Sequence, residues 1–164
     1  MNFLENLKER WKDIDYPFLI HTNGKLYFNE IAQQKSVDLS YVKSGDVVAL
    51  IGDFDPQSIL TLLQLIEKKT ILVPLTTDTR SQHEYFFKSA MVDVVIKGNS
   101  VQRLKHNEKH KLIEQLRNQE HGGLVLFSTG TTGRPKAILH DLTLFMQRFE
   151  TPRPSLRTVN FLLF

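Results

Sequence analysis

The sequence predicts an α/β fold with a largely parallel sheet flanked by helices, and three observations carry that expectation. Continuous apolar runs recur at residues 47–51, 70–73, 94–96 and 124–127; a run without polar alternation marks a strand covered on both faces. Segments of helical spacing separate these runs, the alternation expected of βαβ units. A loop of glycines and hydroxyl residues follows the run at 124–127, and ligands in open α/β sheets gather beyond the carboxyl ends of strands.

Phe3, Leu4, Leu7 and Trp11 share one helical face, so residues 2–12 read as a short helix. Phe18-Leu19-Ile20-His21 and Leu26-Tyr27-Phe28 flank Asn23-Gly24, a strong hairpin signal because both turn residues tolerate positive φ. A helix is expected over about 29–42. After the strand Val47-Val48-Ala49-Leu50-Ile51, Asp55 and Pro56 provide an N-cap and a first helical residue. Ile59, Leu60, Leu62, Leu63, Leu65 and Ile66 make the following helix apolar nearly all round, hence buried. Thr70-Ile71-Leu72-Val73 is the next strand, residues 81–91 a helix, and Val94-Val95-Ile96 a third strand. Residues 98–107 are expected to be the most flexible stretch. Residues 108–119 present Leu112, Ile113 and Leu116 as one helical stripe. Residues 137–139 form a strand after the loop, and Asp141 caps a helix over 142–149. Residues 158–164 read as another buried strand that stops in mid-run. The expectation is a single domain over 1–164 that is the truncated front part of something longer.

The 164 residues are 41% hydrophobic and 24% charged, an ordinary globular mix. There is no cysteine, which excludes disulfides and thiolate metal sites and fits a reducing compartment. The net charge of +3 is too mild for a nucleic-acid binder, so no nucleic-acid partner is expected. Lys97, Arg103, Lys105, Lys109 and Lys111 are interrupted by Glu108 and Glu114 and read as a solvated loop and helix face. No secretion signal is visible. No apolar run approaches the roughly 20 residues of a membrane span. A cytoplasmic protein is expected.

The loop runs Ser128-Thr129-Gly130-Thr131-Thr132-Gly133-Arg134-Pro135-Lys136. Glycine lets the backbone turn and approach an anion closely. Successive N–H groups then form a nest for oxygen atoms. The hydroxyls of Ser128, Thr129, Thr131 and Thr132 add neutral donors. Lys136 adds a positive point charge suited to phosphate, and Pro135 stiffens the exit. The spacing is neither that of a Walker A loop nor that of the G-x-G-x-x-G dinucleotide fingerprint.

This segment resembles the core signature of the AMP-forming ligases: acyl- and aryl-CoA synthetases, luciferases and nonribosomal peptide synthetase adenylation domains. Their Ser/Thr-Ser/Thr-Gly-Thr/Ser-Thr-Gly-x-Pro-Lys pattern is matched at every position, although Ala137 stands where the family usually has glycine. Leu26-Tyr27-Phe28-Asn29-Glu30-Ile31 and Lys68-Lys69-Thr70-Ile71-Leu72-Val73-Pro74-Leu75 are similar to two weaker family motifs, in the family's order. The resemblance implies a partial N-terminal subdomain of an adenylate-forming enzyme. A carboxylic acid, on family base rates a fatty or aryl acid, would attack the α-phosphorus of ATP to give acyl-AMP and pyrophosphate. Coenzyme A or a carrier-protein pantetheine would then take the acyl group. The implied role of Ser128, Thr129, Gly130, Thr131, Thr132, Gly133 and Lys136 is to hold the leaving phosphates with Mg2+. Lys136 either supplies charge to phosphate or orders the loop. The family's other catalytic residues are expected downstream of Phe164, so this stretch by itself should not complete adenylation. The alternatives are a stand-alone, non-catalytic nucleotide- or phosphate-binding module and a degenerate interaction piece. His140 is expected to be structural, His83 and Asp78 to lie on the surface without a metal, and Phe86, Phe87, Phe145 and Phe149 to belong to the core.

Overall fold

A computed structural model describes residues 3–21, 23–31, 33–106, 108–128 and 133–149. Among these, two sheets form. A short hairpin pairs β1, Leu19–His21, with β2, Gly24–Leu26. The larger sheet has six strands: β3 (Val47–Ile51), β4 (Ile71–Leu75), β5 (Val94–Lys97), β6 (Ser100–Arg103), β7 (Gly123–Ser128) and β8 (Lys136–Asp141), in the spatial order β6-β5-β3-β4-β7-β8. The inner four are parallel, whereas β6 and β8 close the two sides antiparallel. The expectation of a largely parallel sheet flanked by helices is met.

Every residue of β3 is buried, as an unbroken apolar run at the centre of a sheet requires. Alternate residues serve opposite faces. Val47, Ala49, Ile51, Ile71 and Val73 pack with Phe86 and Ala90 of α4 (His83–Ala90) and with Ile113 and Leu116 of α5 (Lys111–Asn118). Val48, Leu50, Leu72, Val94 and Ile96 pack with Leu65 of α3 (Pro56–Glu67) and Leu142 of α6 (Leu142–Gln147). A third cluster joins Leu60 and Leu63, also on α3, to the hairpin, to α1 (Phe3–Trp11) and to α2 (Phe28–Ile31). Asp55 caps α3 as expected. Its Oδ1 accepts the Ser58 amide at 3.0 Å and its Oδ2 accepts the Ser58 hydroxyl.

Several expectations are corrected. The helix foreseen over 29–42 lasts one turn. Val37, Leu39 and Val42 are buried at spacings of two and three, and Asp38 Oδ1 accepts the Ser40 amide at 2.9 Å, a local bond that competes with helix. Gly24 already pairs with His21, so β2 begins at the second residue of the foreseen Asn23-Gly24 turn, and Phe28 opens α2 instead of extending the strand. The stretch foreseen as flexible contains β6. Gly98 takes φ +53° between Lys97 and Ser100, which permits a two-residue turn and a four-pair ladder with β5. The helix over 81–91 is a 3-10 stretch, Thr77–Gln82, followed by α4. The strand foreseen over 158–164 lies outside the described residues.

Candidate functional site

All four parallel strands end on one edge of the sheet, and β7 delivers the glycine–hydroxyl loop to that edge. β7 and β8 pair over six residues, from Gly123↔Asp141 to Ser128↔Lys136. Directly opposed residues of an antiparallel pair point to the same face. The half-buried hydroxyl of Ser128 and the exposed ammonium of Lys136 therefore flank the loop on one side. Gly133 is described and exposed. Thr129, Gly130, Thr131 and Thr132 lie outside the described residues.

The exit of the loop is tied to α4. The Tyr85 hydroxyl donates to the Pro135 carbonyl at 2.7 Å, and the Arg134 guanidinium sits 5.5 Å from the centre of the Tyr85 ring. The neighbouring Phe86 stacks on Phe127 with centroids 4.1 Å apart. Sequence reasoning missed Tyr85 and Arg134 because their contacts join segments some 50 residues apart.

The adjacent strand ends are also fastened. Asp53, just beyond β3, accepts the Thr77 amide at 3.0 Å and the Thr77 hydroxyl at 2.6 Å. The Thr77 hydroxyl, and then its amide, hold the Asp53 carboxyl below the usual carboxylate range. Asp55 is likewise lowered: burial pushes it up, but the bonds from Ser58 outweigh that. A cleft of about 400 Å³ opens on this edge between Ile51, Arg80, His83, Phe87, Val95 and Lys97. Ser128 and Lys136 are not among its walls.

Charge is distributed unevenly between the two edges. At the amino edge Arg103 pairs with Asp46, and Arg117 pairs with Asp93 and Glu114 at 2.7 Å each. At the carboxyl edge Arg80, Lys97, Arg134 and Lys136 are exposed, and none forms an ion pair among the described residues. Of these, Arg134 and Lys136 stand at the exit of the loop, while Asp53 and Asp55 keep carboxylates on the same edge.

Two further expectations change. His83 is buried, with Nε2 3.0 Å from both the Thr79 hydroxyl and the Thr76 carbonyl; it fastens the start of α4 and is not a surface residue. Phe86 is buried and Phe87 packs against the core, but Phe145 and Phe149 are half exposed and lean on each other. Phe145 lies on the outer side of α6, whose inward residues are Leu142 and Met146, and Phe149 follows the end of the helix. Asp141 caps α6 through the Leu144 amide at 2.9 Å, and its Oδ2 lies 2.7 Å from His121 Nδ1. His140 is exposed on β8. Among the described residues no cluster of three His, Asp or Glu is placed to hold a metal, and no helix is long and apolar enough to cross a membrane.

The fold is that of the N-terminal subdomain of an adenylation domain. The N-terminal subdomain of NpsA from Klebsiella oxytoca, in complex with 3-hydroxybenzoyl-AMSN, aligns with a TM-score of 0.56 at 22% identity over 83% of this chain and 39% of that one. An artificially fused NpsA-ThdA adenylation-PCP di-domain from the same organism gives 0.55 at 19% identity over 83% and 31%. VinN, in complex with L-aspartate, gives 0.57 at 15% identity over 85% and 47%. The chain thus spans less than half the length of these solved proteins. No family model and no curated protein matches the sequence.

Proposed function

We propose that this chain is the N-terminal portion of an ATP-dependent carboxylate ligase, which forms an acyl-AMP and then an acyl thioester on coenzyme A or a carrier-protein pantetheine. The observation that carries the proposal is the β7–β8 hairpin. It sets Ser128 and Lys136 in register at the carboxyl edge of a parallel sheet, at the two ends of a Thr-Gly-Thr-Thr-Gly stretch. Hydroxyls, backbone amides and a cation at a strand end are the donors a polyphosphate needs. Their contribution is to position ATP and to stabilise the charge that develops on the leaving pyrophosphate. Water activates no step in this scheme: the carboxylate oxygen attacks the α-phosphorus, and pyrophosphate leaves with the electron pair of the broken P–O bond.

The described residues do not by themselves provide a carboxylate set for Mg2+, so no step is routed through the metal. The ligands named for NpsA and VinN, an aroyl derivative and an amino acid, support a carboxylic acid as the substrate class. A non-catalytic nucleotide-binding module is the second reading; the NpsA N-terminal subdomain, 39% of which aligns with this chain, forms a complex with 3-hydroxybenzoyl-AMSN.

The test is ATP–pyrophosphate exchange, measured on this chain and on a longer product of the same reading frame. Exchange in the longer form alone supports the ligase. Exchange in neither form, with ATP binding by this chain lost on Lys136→Ala, selects the binding module.

A further inference from the structure

We propose that Tyr85 is the positioning residue of the phosphate loop: from α4 it fixes the backbone at the loop's exit and holds the Arg134 cation beside it. The inference rests on the reading of residues 128–136 as a polyphosphate-binding loop.

The hairpin needs an external brace. β7 is paired with β4 only at Ile71↔Gly123 and Leu72↔Leu124, and β8 is the last strand of the sheet. The outer part of the hairpin is therefore a two-stranded ribbon, which is marginally stable in water without packing on a face. α4 supplies that packing through two consecutive residues. Phe86 points into the core and stacks on Phe127. Tyr85, rotated about 100° around the helix, reaches the loop exit.

The bond it makes there has a particular consequence. Pro135 has no N–H, and its ring fixes φ, so its carbonyl is the remaining polar handle on that residue. The carbonyl belongs to the planar peptide that includes the nitrogen of Lys136. Holding the Pro135 oxygen at 2.7 Å therefore fixes the peptide plane from which Lys136 departs. The same ring carries Arg134 on its face, two residues before Lys136. One half-buried tyrosine thus orders both cations at the exit.

The experiment is calorimetric titration of the 164-residue chain with MgATP at 10 °C, where circular dichroism verifies that each variant is folded. Tyr85→Phe keeps the ring and removes the donor; it should weaken binding by about three- to tenfold, the range expected for one hydrogen bond. Tyr85→Leu removes the ring as well and should weaken it further. Trypsin cleavage after Lys136 should be faster in both variants. A contact that only stabilised the fold would leave the Kd of a fully folded variant unchanged. Equal Kd values for wild type and Tyr85→Phe overturn the role of Tyr85 and leave the loop reading intact. Absence of MgATP binding by wild type overturns the loop reading for this chain, and the role of Tyr85 with it.

Discussion

Replacing Phe86 with alanine tests whether α4 holds the hairpin. The side chain is 4% exposed, and its ring stacks on Phe127 at 4.1 Å and 28°. Truncating a buried Phe to Ala costs about 3–5 kcal/mol, transfer and cavity together. Of that, about 0.5–1.5 kcal/mol belongs to the ring pair itself. A domain of this size shifts by roughly 2–4 °C per kcal/mol, so the melting temperature should fall by roughly 6–20 °C. Phe127→Ala should cost less, because that ring is only half buried. A double-mutant cycle on thermal or urea unfolding isolates the pair and should return a coupling of about 0.5–1.5 kcal/mol. A fall below about 4 °C for Phe86→Ala, or a coupling indistinguishable from zero, would refute the claim that these two rings fasten the hairpin to the helix.

Two other outcomes follow from close contacts at the carboxyl edge. A Cβ at Gly52 would lie 2.1 Å from Ser58 Oγ and 2.7 Å from Ser58 Cβ, so Gly52→Ala must push the first turn of α3 away from its Asp55 cap; a loss of about 1–3 kcal/mol in urea unfolding is expected, partly recovered by adding Ser58→Gly. The depressed Asp53 carboxyl contributes stability that is present above the ordinary carboxylate pKa and is lost as pH falls through its lower folded value. Thr77→Val, which removes the first of its two donors, should raise the Asp53 midpoint seen by carbon NMR titration and lessen the acid-side loss of stability; an unmoved midpoint would show that the hydroxyl does not set it.

What the sequence made legible were the features encoded over short distances. The fully buried run of β3, the Asp55-Pro56 cap, the Asp141 cap and the strand ahead of the signature loop each depend on neighbours within a few residues, and each is where local rules put it. What stayed hidden depends on partners that an irregular turn or the tertiary fold brings together. The 29–42 segment carries helical residue types, yet Val37, Leu39 and Val42 are drawn onto the face of the sheet. His83 looks like a surface residue because its partners Thr76 and Thr79 become visible only when the 3-10 turn winds back over it. Phe145 and Phe149 look like core because apolar size alone cannot say that α6 turns Leu142 and Met146, and not these rings, toward Leu124. Tyr85 resembles any helical aromatic until Pro135 is brought to it.

Under the proposed function, the two edges of the sheet differ in how their charges are paired. A net charge of +3 says nothing of direction. At the amino edge, Arg103 and Arg117 are consumed by Asp46, Asp93 and Glu114, so that edge presents little free charge. At the carboxyl edge the acids meet neutral donors and keep their charge: Asp53 accepts two bonds from Thr77, and Asp55 is committed to the start of α3. Arg80, Lys97, Arg134 and Lys136 form no ion pair among the described residues, although the Lys97 charge helps to hold the Asp53 carboxyl low. An exposed charge acts over about one Debye length, roughly 8 Å at physiological salt, so an anion at the loop would feel Arg134 and Lys136, whereas Lys97 stands three strands from β7 and is largely screened. The cations supply the attraction, and under the proposed function the directional donors of the loop supply the grip.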